Sequence, residues 1–205
     1  MNTLQRSLIA ALAGLAMALP ASAATYAVTV DTSSLAGETG YLDFGFAGLA
    51  DSPAAISTIF GLAGGSALGA AQLDGAASIT TGGWQLGTGE AFNAVFQSWQ
   101  FGSQLSFSVD FSGDWLSAGS GSGNSFSLKL WDGAVSNTLL TADGAGDVLR
   151  FELSPGGSIG VETFARDAFG TPSAVQVSAV PEPQTYAMLL AGLALLGAAK
   201  RRRAG

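Results

Sequence analysis

The chain has 205 residues, a formal net charge of −7, 29 glycines, and neither cysteine nor histidine. The missing residue types exclude disulfides, thiolate nucleophiles, thiolate metal sites and histidine-based catalysis. The acidic charge repels phosphate backbones, which excludes nucleic acid as a partner.

The first 23 residues have the pattern of a secretory signal peptide. Arg6 supplies the charged region, the apolar stretch 7–19 follows, and Ala21-Ser22-Ala23 fits the A-x-A cleavage rule. The sequence therefore predicts export by the Sec machinery and cleavage by signal peptidase between Ala23 and Ala24. The alternative is an uncleaved membrane anchor, although the apolar stretch is short for a membrane span.

Residues 24–179 form the predicted folded domain, in which apolar residues alternate with polar ones between Gly-rich turns. This alternation is typical of antiparallel strands with one solvated face, and it is clearest from Gln104 to Phe111. Counting the less regular stretches gives eight to ten strands, so we predict a mainly β fold, an antiparallel β-sandwich or jelly-roll-like domain. The alternating residues of the predicted strands are Tyr26, Val28 and Val30; Leu42, Phe44 and Phe46; Leu105, Phe107, Val109 and Phe111; Phe126, Leu128 and Leu130; Leu149, Phe151 and Leu153; Ile159, Val161 and Thr163; and Val175 and Val177.

Four stretches are less regular. Residues 54–60 fit a short strand or one helical turn, and the Gly- and Ala-rich residues 62–71 indicate a loop. Residues 73–81 indicate a strand that is broken near Gly75. Residues 90–101 are the predicted helical exception, with an irregular strand as the alternative. The helical spacing there is carried by Phe92, Val95, Phe96 and Trp99.

Carboxylate pairs are the candidate chemical groups of the domain. Asp110 and Asp114 form one pair, and Asp143 and Asp147 form another on a Gly-rich stretch that suits Ca²⁺. Asp before Gly is also an ordinary turn choice, which favours turns over a metal site. Nothing in the sequence places two carboxyl groups at the separation that glycoside hydrolysis requires. We therefore expect no catalytic residues, no cofactor and no enzymatic activity.

The four tryptophans suggest a second class of function, because exposed aromatic faces stack on sugar rings. Trp115 and Trp131 are the candidate glycan contacts, since each lies next to an Asp at a strand end. The alternative is packing in the core or at its rim, because aromatic side chains bury a large apolar area. The pair would have to be exposed side by side on one sheet face.

The C-terminal segment 180–205 has three parts in a fixed order. Pro181-Glu182-Pro183 comes first, the apolar stretch Thr185–Ala199 follows, and Lys200-Arg201-Arg202-Arg203 comes last. Fifteen residues span about 22 Å as a helix, less than a hydrocarbon core of about 30 Å. The cations predict a transmembrane helix with its C-terminus in the cytoplasm and a periplasmic body. A permanent membrane anchor is the alternative.

This three-part order resembles the PEP-CTERM sorting signal, which implies exosortase of a Gram-negative bacterium as the processing enzyme. The resemblance implies retention at the inner membrane and then delivery to the cell surface or to an exopolysaccharide-containing matrix. Tails of this kind also carry the label of an ice-binding-protein C-terminal domain, which implies no ice binding. The body resembles a family of uncharacterised PEP-CTERM proteins. That resemblance rests on Val30-Asp31-Thr32-Ser33-Ser34-Leu35, Gly40-Tyr41-Leu42-Asp43-Phe44 and Phe126-Ser127-Leu128-Lys129-Leu130-Trp131-Asp132.

Overall fold

The computed structural model describes residues 24–180 and Gly192. The predicted signal peptide, the Pro-Glu-Pro motif, the apolar span and the terminal cations all lie outside these residues. Among the residues described, no helix is long and apolar enough to cross a membrane.

Residues 24–180 contain eleven strands and two single-turn 3₁₀ helices, joined by turns and loops. The strands are β1 (Ala24–Asp31), β2 (Thr39–Gly48), β3 (Ala55–Ala67), β4 (Gln72–Asp74), β5 (Ala77–Thr80), β6 (Gly83–Gly87), β7 (Asn93–Gly113), β8 (Asn124–Asp132), β9 (Leu149–Ser154), β10 (Ser158–Thr163) and β11 (Val175–Val180). The 3₁₀ helices are η1 (Ser33–Leu35) and η2 (Asp114–Leu116). The prediction of a mainly β fold is thereby confirmed.

The strands form one sheet in the order β10-β9-β8-β2-β7-β3-β6-β5, with β1 and β4 also paired to β7 and β11 paired to β1. Every pair whose register is described is antiparallel. Alternating side chains therefore point to opposite faces, as the burial of Leu105, Phe107, Val109 and Phe111 confirms.

The 21-residue strand β7 is the centre of the sheet. Along one edge, its first half pairs with β2 and its second half, from Gln104 to Phe111, pairs with β1. Its other edge pairs with β4 and with nearly the whole of β3. The register of β3 shifts between Phe60 and Gly65, opposite the point where β7 passes from β2 to β1.

The helix predicted for residues 90–101 is wrong, because most of this stretch belongs to β7. Val95 and Trp99 are buried, Phe96 between them is half-buried on the opposite face, and Phe92 precedes the strand and is 61% exposed. The apolar residues therefore do not share one face. Hydrogen bonding to strands on both edges overrides the short helical spacing.

The loop predicted for residues 62–71 is also wrong over its first part, because β3 continues to Ala67. Its small residues have a packing reason. A Cβ at Gly65 would lie 2.2 Å from the indole Nε1 of Trp99, so only glycine allows the strands to approach here. The open choice for residues 54–60 is settled as strand, and residues 73–81 divide into β4 and β5 around Gly75.

Aromatic rings join the strands across the core. Phe44 meets Phe107 edge-on with ring centroids 5.2 Å apart, and Phe111 meets Phe126 at 5.5 Å and Phe151 at 5.1 Å. All five side chains are at most 3% exposed. Each such pair adds about 0.5–1.5 kcal/mol beyond area burial.

The last strand, β11, pairs with the first strand, β1. The amide of Asp31, at the end of β1, donates to the carbonyl of Ala174, just before β11, at 2.8 Å. From there β11 runs back along β1 towards Ala24. The first and last residues of the folded body, Ala24 and Val180, therefore lie at the same end of it.

Candidate functional site

The outer face of β2 and β8 carries a cluster of aromatic and charged side chains. Tyr41 lies opposite Trp131 in the strand register, and Asp43 lies opposite Lys129. The alternation that buries Leu42 and its neighbours in the core turns these four side chains outward. Residues directly opposite each other have Cβ atoms about 4.5–5.5 Å apart, so the four form one continuous surface.

A hydrogen bond fixes the Trp131 side chain on this surface. Its indole Nε1 donates to Oδ2 of Asp43 at 3.1 Å. Burial raises the pKa of the Asp43 carboxyl group, against the lowering effects of the Trp131 hydrogen bond and the Lys129 charge, while Asp147 and Asp74 raise it further. The bond holds the ring of Trp131 in one orientation beside a partly desolvated carboxyl group.

Tyr41 is supported from the other side by Phe96 of β7. The two rings are stacked, with centroids 4.6 Å apart and planes inclined by 13°. Tyr41, Phe96 and Trp131 are all half-buried, so each keeps part of its surface accessible. We call Tyr41, Asp43, Phe96 and Trp131 the aromatic face.

Two shallow grooves flank the aromatic face. The Tyr41 groove has a volume of about 280 Å³ and is lined by Thr39, Gly40, Tyr41, Leu68, Ser98 and Gly133. The Trp131 groove has a volume of about 310 Å³ and is lined by Trp131, Ser136, Asn137, Thr138, Gly144, Ala145 and Gly146. Both linings combine an aromatic ring with uncharged hydroxyl or amide groups. These groups can donate hydrogen bonds to a polar ligand and accept hydrogen bonds from it.

The carboxylates of Asp143 and Asp147, the Ca²⁺ candidates, both contact the guanidinium group of Arg150. Arg150 Nη2 lies 3.3 Å from Asp143 Oδ2 and also contacts Asp147 Oδ2. Lys129 Nζ lies 3.8 Å from Oδ1 of Asp147. The residue Asp147 is 4% exposed. Among residues 24–180, no three His, Cys, Asp or Glu side chains cluster so that they could hold a metal ion. The geometry is that of an ion-pair cluster, in which the cations of the protein already compensate the carboxylates.

Trp115 does not lie beside Trp131, which corrects the predicted pair of glycan contacts. Trp115 belongs to η2, is completely buried, and donates from Nε1 to the carbonyl of Ser112 at 3.1 Å. A ring without exposed surface cannot stack on a sugar. Trp131 is half-buried, and its neighbour across the strands is Tyr41.

The remaining tryptophans pack in or against the core, and the first acidic pair lies outside the aromatic face. Trp99 is 4% exposed, and Trp84 is half-buried with its ring 6.0 Å from that of Phe44. Asp110 accepts a hydrogen bond from the hydroxyl of Thr25 at 2.8 Å, and Asp114 begins η2. These residues have structural contacts and add no further group to the aromatic face.

Tyr41 and Phe96 are the members of the aromatic face that sequence reasoning does not select. Tyr41 occupies an outward position of a correctly predicted strand. An aromatic side chain at a solvent-facing strand position is the sequence feature by which Tyr41 could have been identified. Phe96 falls in the stretch with helical spacing, which hides its position on the outer side of β7.

The family model of the PEP-CTERM protein-sorting motif matches residues 179–203. The matched segment begins inside the folded body, because Ala179 and Val180 are the last two residues of β11. No curated protein and no solved structure matches the chain. The predicted resemblance of the tail to a PEP-CTERM sorting signal is thereby confirmed, whereas no match supports the predicted resemblance of the body to a family. A PEP-CTERM motif indicates a protein that exosortase sorts to the cell surface.

Proposed function

We propose that the chain is an exported, noncatalytic protein of the cell surface or extracellular matrix. In this proposal signal peptidase removes residues 1–23, the apolar tail holds the precursor at the inner membrane, and exosortase then processes it near Pro181-Glu182-Pro183. The observation that carries the proposal is the motif match over residues 179–203. The signal-peptide pattern at the other end of the chain is consistent with it, because a sorting tail acts only on an exported protein.

The position of the match relative to the last strand supports processing at the edge of the folded body. Ser178, Ala179 and Val180 are exposed although they belong to β11. Among the described strands β11 pairs with β1 alone, so its end can separate from the sheet without opening the core. The motif thus begins where the folded body ends, at an accessible strand terminus.

We also infer that the sheet folds over on itself as a two-layer sandwich, with β7 belonging to both layers. Phe44 of β2 contacts Phe107 in the second half of β7, and Phe151 of β9 contacts Tyr26 of β1 at 5.0 Å. Neither pair of segments is hydrogen-bonded, so these contacts support two facing layers. A strand that passes from one layer to the other through a bend is a known solution for such packing.

The noncatalytic part of the proposal rests on the surroundings of the carboxylates. Asp143 and Asp147 are compensated by Arg150, and Asp43 accepts its hydrogen bond from an indole. General acid–base hydrolysis of a glycoside instead needs two carboxyl groups facing one substrate bond. A body that carries a surface function without chemistry is consistent with this arrangement.

Replacing Glu182 by Ala, or the four terminal cations by Ser, tests the sorting proposal. The tagged chain is followed by size and by cell fractionation in its native host, with and without exosortase. We expect the wild type to be shortened and released from the inner membrane only when exosortase is present, and each variant to remain full length there. The control is Glu162→Ala, which removes an exposed carboxylate of the body.

Identical size and location in all strains would overturn the proposal. If the protein also stayed in the inner-membrane fraction, it would be a permanently anchored periplasmic domain.

A further inference from the structure

We propose that the aromatic face and its two grooves bind a neutral glycan built of pyranose rings. The ligand class follows from three properties of the site: oriented aromatic rings, uncharged polar linings and surrounding negative charge. The proposal does not depend on how the chain is sorted.

The aromatic rings are held in place before any ligand arrives. Asp43 fixes the indole of Trp131 through the 3.1 Å hydrogen bond, and Phe96 supports Tyr41 through a stacked contact of 4.6 Å. Rings that are already oriented lose little conformational entropy on binding, which favours affinity for a weakly bound ligand. The C–H face of a pyranose ring is apolar and can pack against such rings.

The groove linings provide the polar half of sugar recognition. Thr39 and Ser98 line the Tyr41 groove, and Ser136, Asn137 and Thr138 line the Trp131 groove. Hydroxyl and amide groups both donate and accept hydrogen bonds, as sugar hydroxyl groups do. An aromatic ring beside several such groups matches a ligand with one apolar face and a polar edge.

Charge selects a neutral ligand over an acidic one. Within residues 24–180, the side chains that line the two grooves are all uncharged. Lys129 and Arg150 are held by Asp147, so their positive charge is compensated, and residues 24–180 carry fourteen acidic side chains against three basic ones. A uronic-acid chain would therefore meet a repulsive field at the groove.

The strand order leaves the site accessible at the end of the body opposite Ala24 and Val180. Thr39, which begins β2, pairs with Gln100 near the middle of β7, whereas Ala24 pairs with Phe111 near its end. Phe111 contacts Phe46 near the end of β2, which places both at the same end of the core. The grooves therefore lie at the end of the body away from Ala24.

Calorimetric titration of the purified full-length chain tests the proposal. The probes are cellohexaose, maltohexaose and mannohexaose as neutral hexasaccharides, and hexagalacturonic acid as the acidic one. We expect at least one neutral probe to bind in the micromolar to millimolar range and the acidic probe to show no binding. Trp131→Ala should weaken binding about tenfold or more, because truncating a central aromatic contact typically costs at least that much.

Three further variants separate loss of the site from loss of the fold. Ala145→Arg fills the Trp131 groove from an exposed loop position and should also abolish binding. Trp131→Phe keeps an aromatic ring but loses the hydrogen bond to Asp43, so it should bind more weakly than the wild type and more tightly than Trp131→Ala. Phe169→Ala removes an aromatic side chain that is 96% exposed and lies outside both grooves, and it should leave binding unchanged.

The proposal is overturned if no neutral probe binds at 10 mM, on the order of the weakest useful affinity. It is also overturned if Ala145→Arg, with an unchanged circular dichroism spectrum, binds as well as the wild type. Preferential binding of hexagalacturonic acid would contradict the charge argument and with it the ligand class.

Discussion

Arg150 is the residue on which most charges near β8 and β9 converge. Its guanidinium group contacts Asp143 and Asp147 and lies 5.0 Å above the ring of Phe164. Burial lowers the pKa of the Arg150 guanidinium group, but the hydrogen bond to Asp147 and the negative charge of Asp147 raise this pKa above its ordinary value. The buried carboxylate of Asp147 thus depends on this one arginine and, more distantly, on Lys129.

Replacing Arg150 by Met should destabilise the body by about 2 kcal/mol. Removing one partner of a buried ion pair leaves an uncompensated charge and costs about 3–5 kcal/mol, which access of water to Arg150 reduces here. Urea denaturation at pH 7 measures the change. Arg166→Met is the matched control, because Arg166 pairs with the exposed Asp31 at 2.7 Å and should matter much less. Equal losses in the two variants would contradict this interpretation.

Ionisation of Asp43 should lower the stability of the body as the pH rises, which is the opposite of the usual effect of a carboxyl group. Its pKa is raised by burial, so its ionisation costs more in the folded than in the unfolded chain. This penalty is absent below the unfolded pKa of about 3.9 and increases as the pH rises through the folded pKa. Asp43→Asn stays neutral and keeps an oxygen for the indole of Trp131. We therefore expect the variant to be more stable than the wild type at pH 7.

Denaturation curves between about pH 3 and 8 would show the advantage of Asp43→Asn disappearing towards the acid end, below the unfolded pKa of about 3.9. Asp51→Asn, at an exposed loop position, is the control for a loss of one negative charge. An advantage that stayed constant with pH, or grew as the pH fell, would show that Asp43 is not the responsible group.

The irregular part of β3 contains two glycines with positive φ that differ in their surroundings. At Gly61, where φ is 67°, a Cβ would meet no atom within 4 Å, whereas a Cβ at Gly64, where φ is 90°, would lie 1.7 Å from the carbonyl oxygen of Gln104. Gly64 therefore allows β3 to follow the bend of β7. A side chain there would have to displace backbone rather than a flexible side chain.

Gly64→Ala should cost about 3 kcal/mol or more, and Gly61→Ala only about 1 kcal/mol. Both variants introduce the strain of an L-residue at positive φ, but only Gly64→Ala adds a backbone clash. Urea denaturation compares the two variants with the wild type. Similar losses would mean that backbone conformation alone, without close approach to β7, fixes this part of the strand.

Strands with strict alternation could be predicted from the sequence, whereas the centre of β7 could not. Leu105, Phe107, Val109 and Phe111 repeat every second residue, and this period permits only a half-buried strand. Phe92, Val95, Phe96 and Trp99 fit a helix equally well on spacing alone. Their true arrangement depends on β2, β3 and β4, which pair with this stretch from both edges. Such long-range pairing leaves no local trace in the sequence.

The aromatic face could be predicted only in part, because register decides which residues become neighbours. Trp115 and Trp131 both adjoin an Asp near a strand end, so their sequence contexts do not distinguish them. The structure turns Trp115 into the core and leaves Trp131 outside. Tyr41 joins Trp131 only because β2 and β8 pair in a register that sets them opposite each other.

In the folded body the first strand and the last strand are neighbours, and the two grooves lie beside other strands. β1 starts the body and β11 finishes it, and the two strands are neighbours. The aromatic face belongs to β2, β7 and β8, which are continuous with the core. Separation of the end of β11 would therefore leave the aromatic face intact.

The central position of β7 has a consequence for how the chain leaves the ribosome and crosses a membrane. In the part of the chain that the structure describes, β1 pairs with β7 and β11, and β2 pairs with β7 and β8. Neither strand therefore has a partner there until residues beyond 93 have been made. Synthesis at about 5–20 residues per second delays that moment by several seconds. Pairing between such distant segments is also intrinsically slow, in the millisecond to second range for all-β domains. The strands β1 and β2 thus stay unpaired until β7 is made, whereas β3, β5 and β6 can pair with one another earlier. Unpaired strands are the state that an export channel can thread.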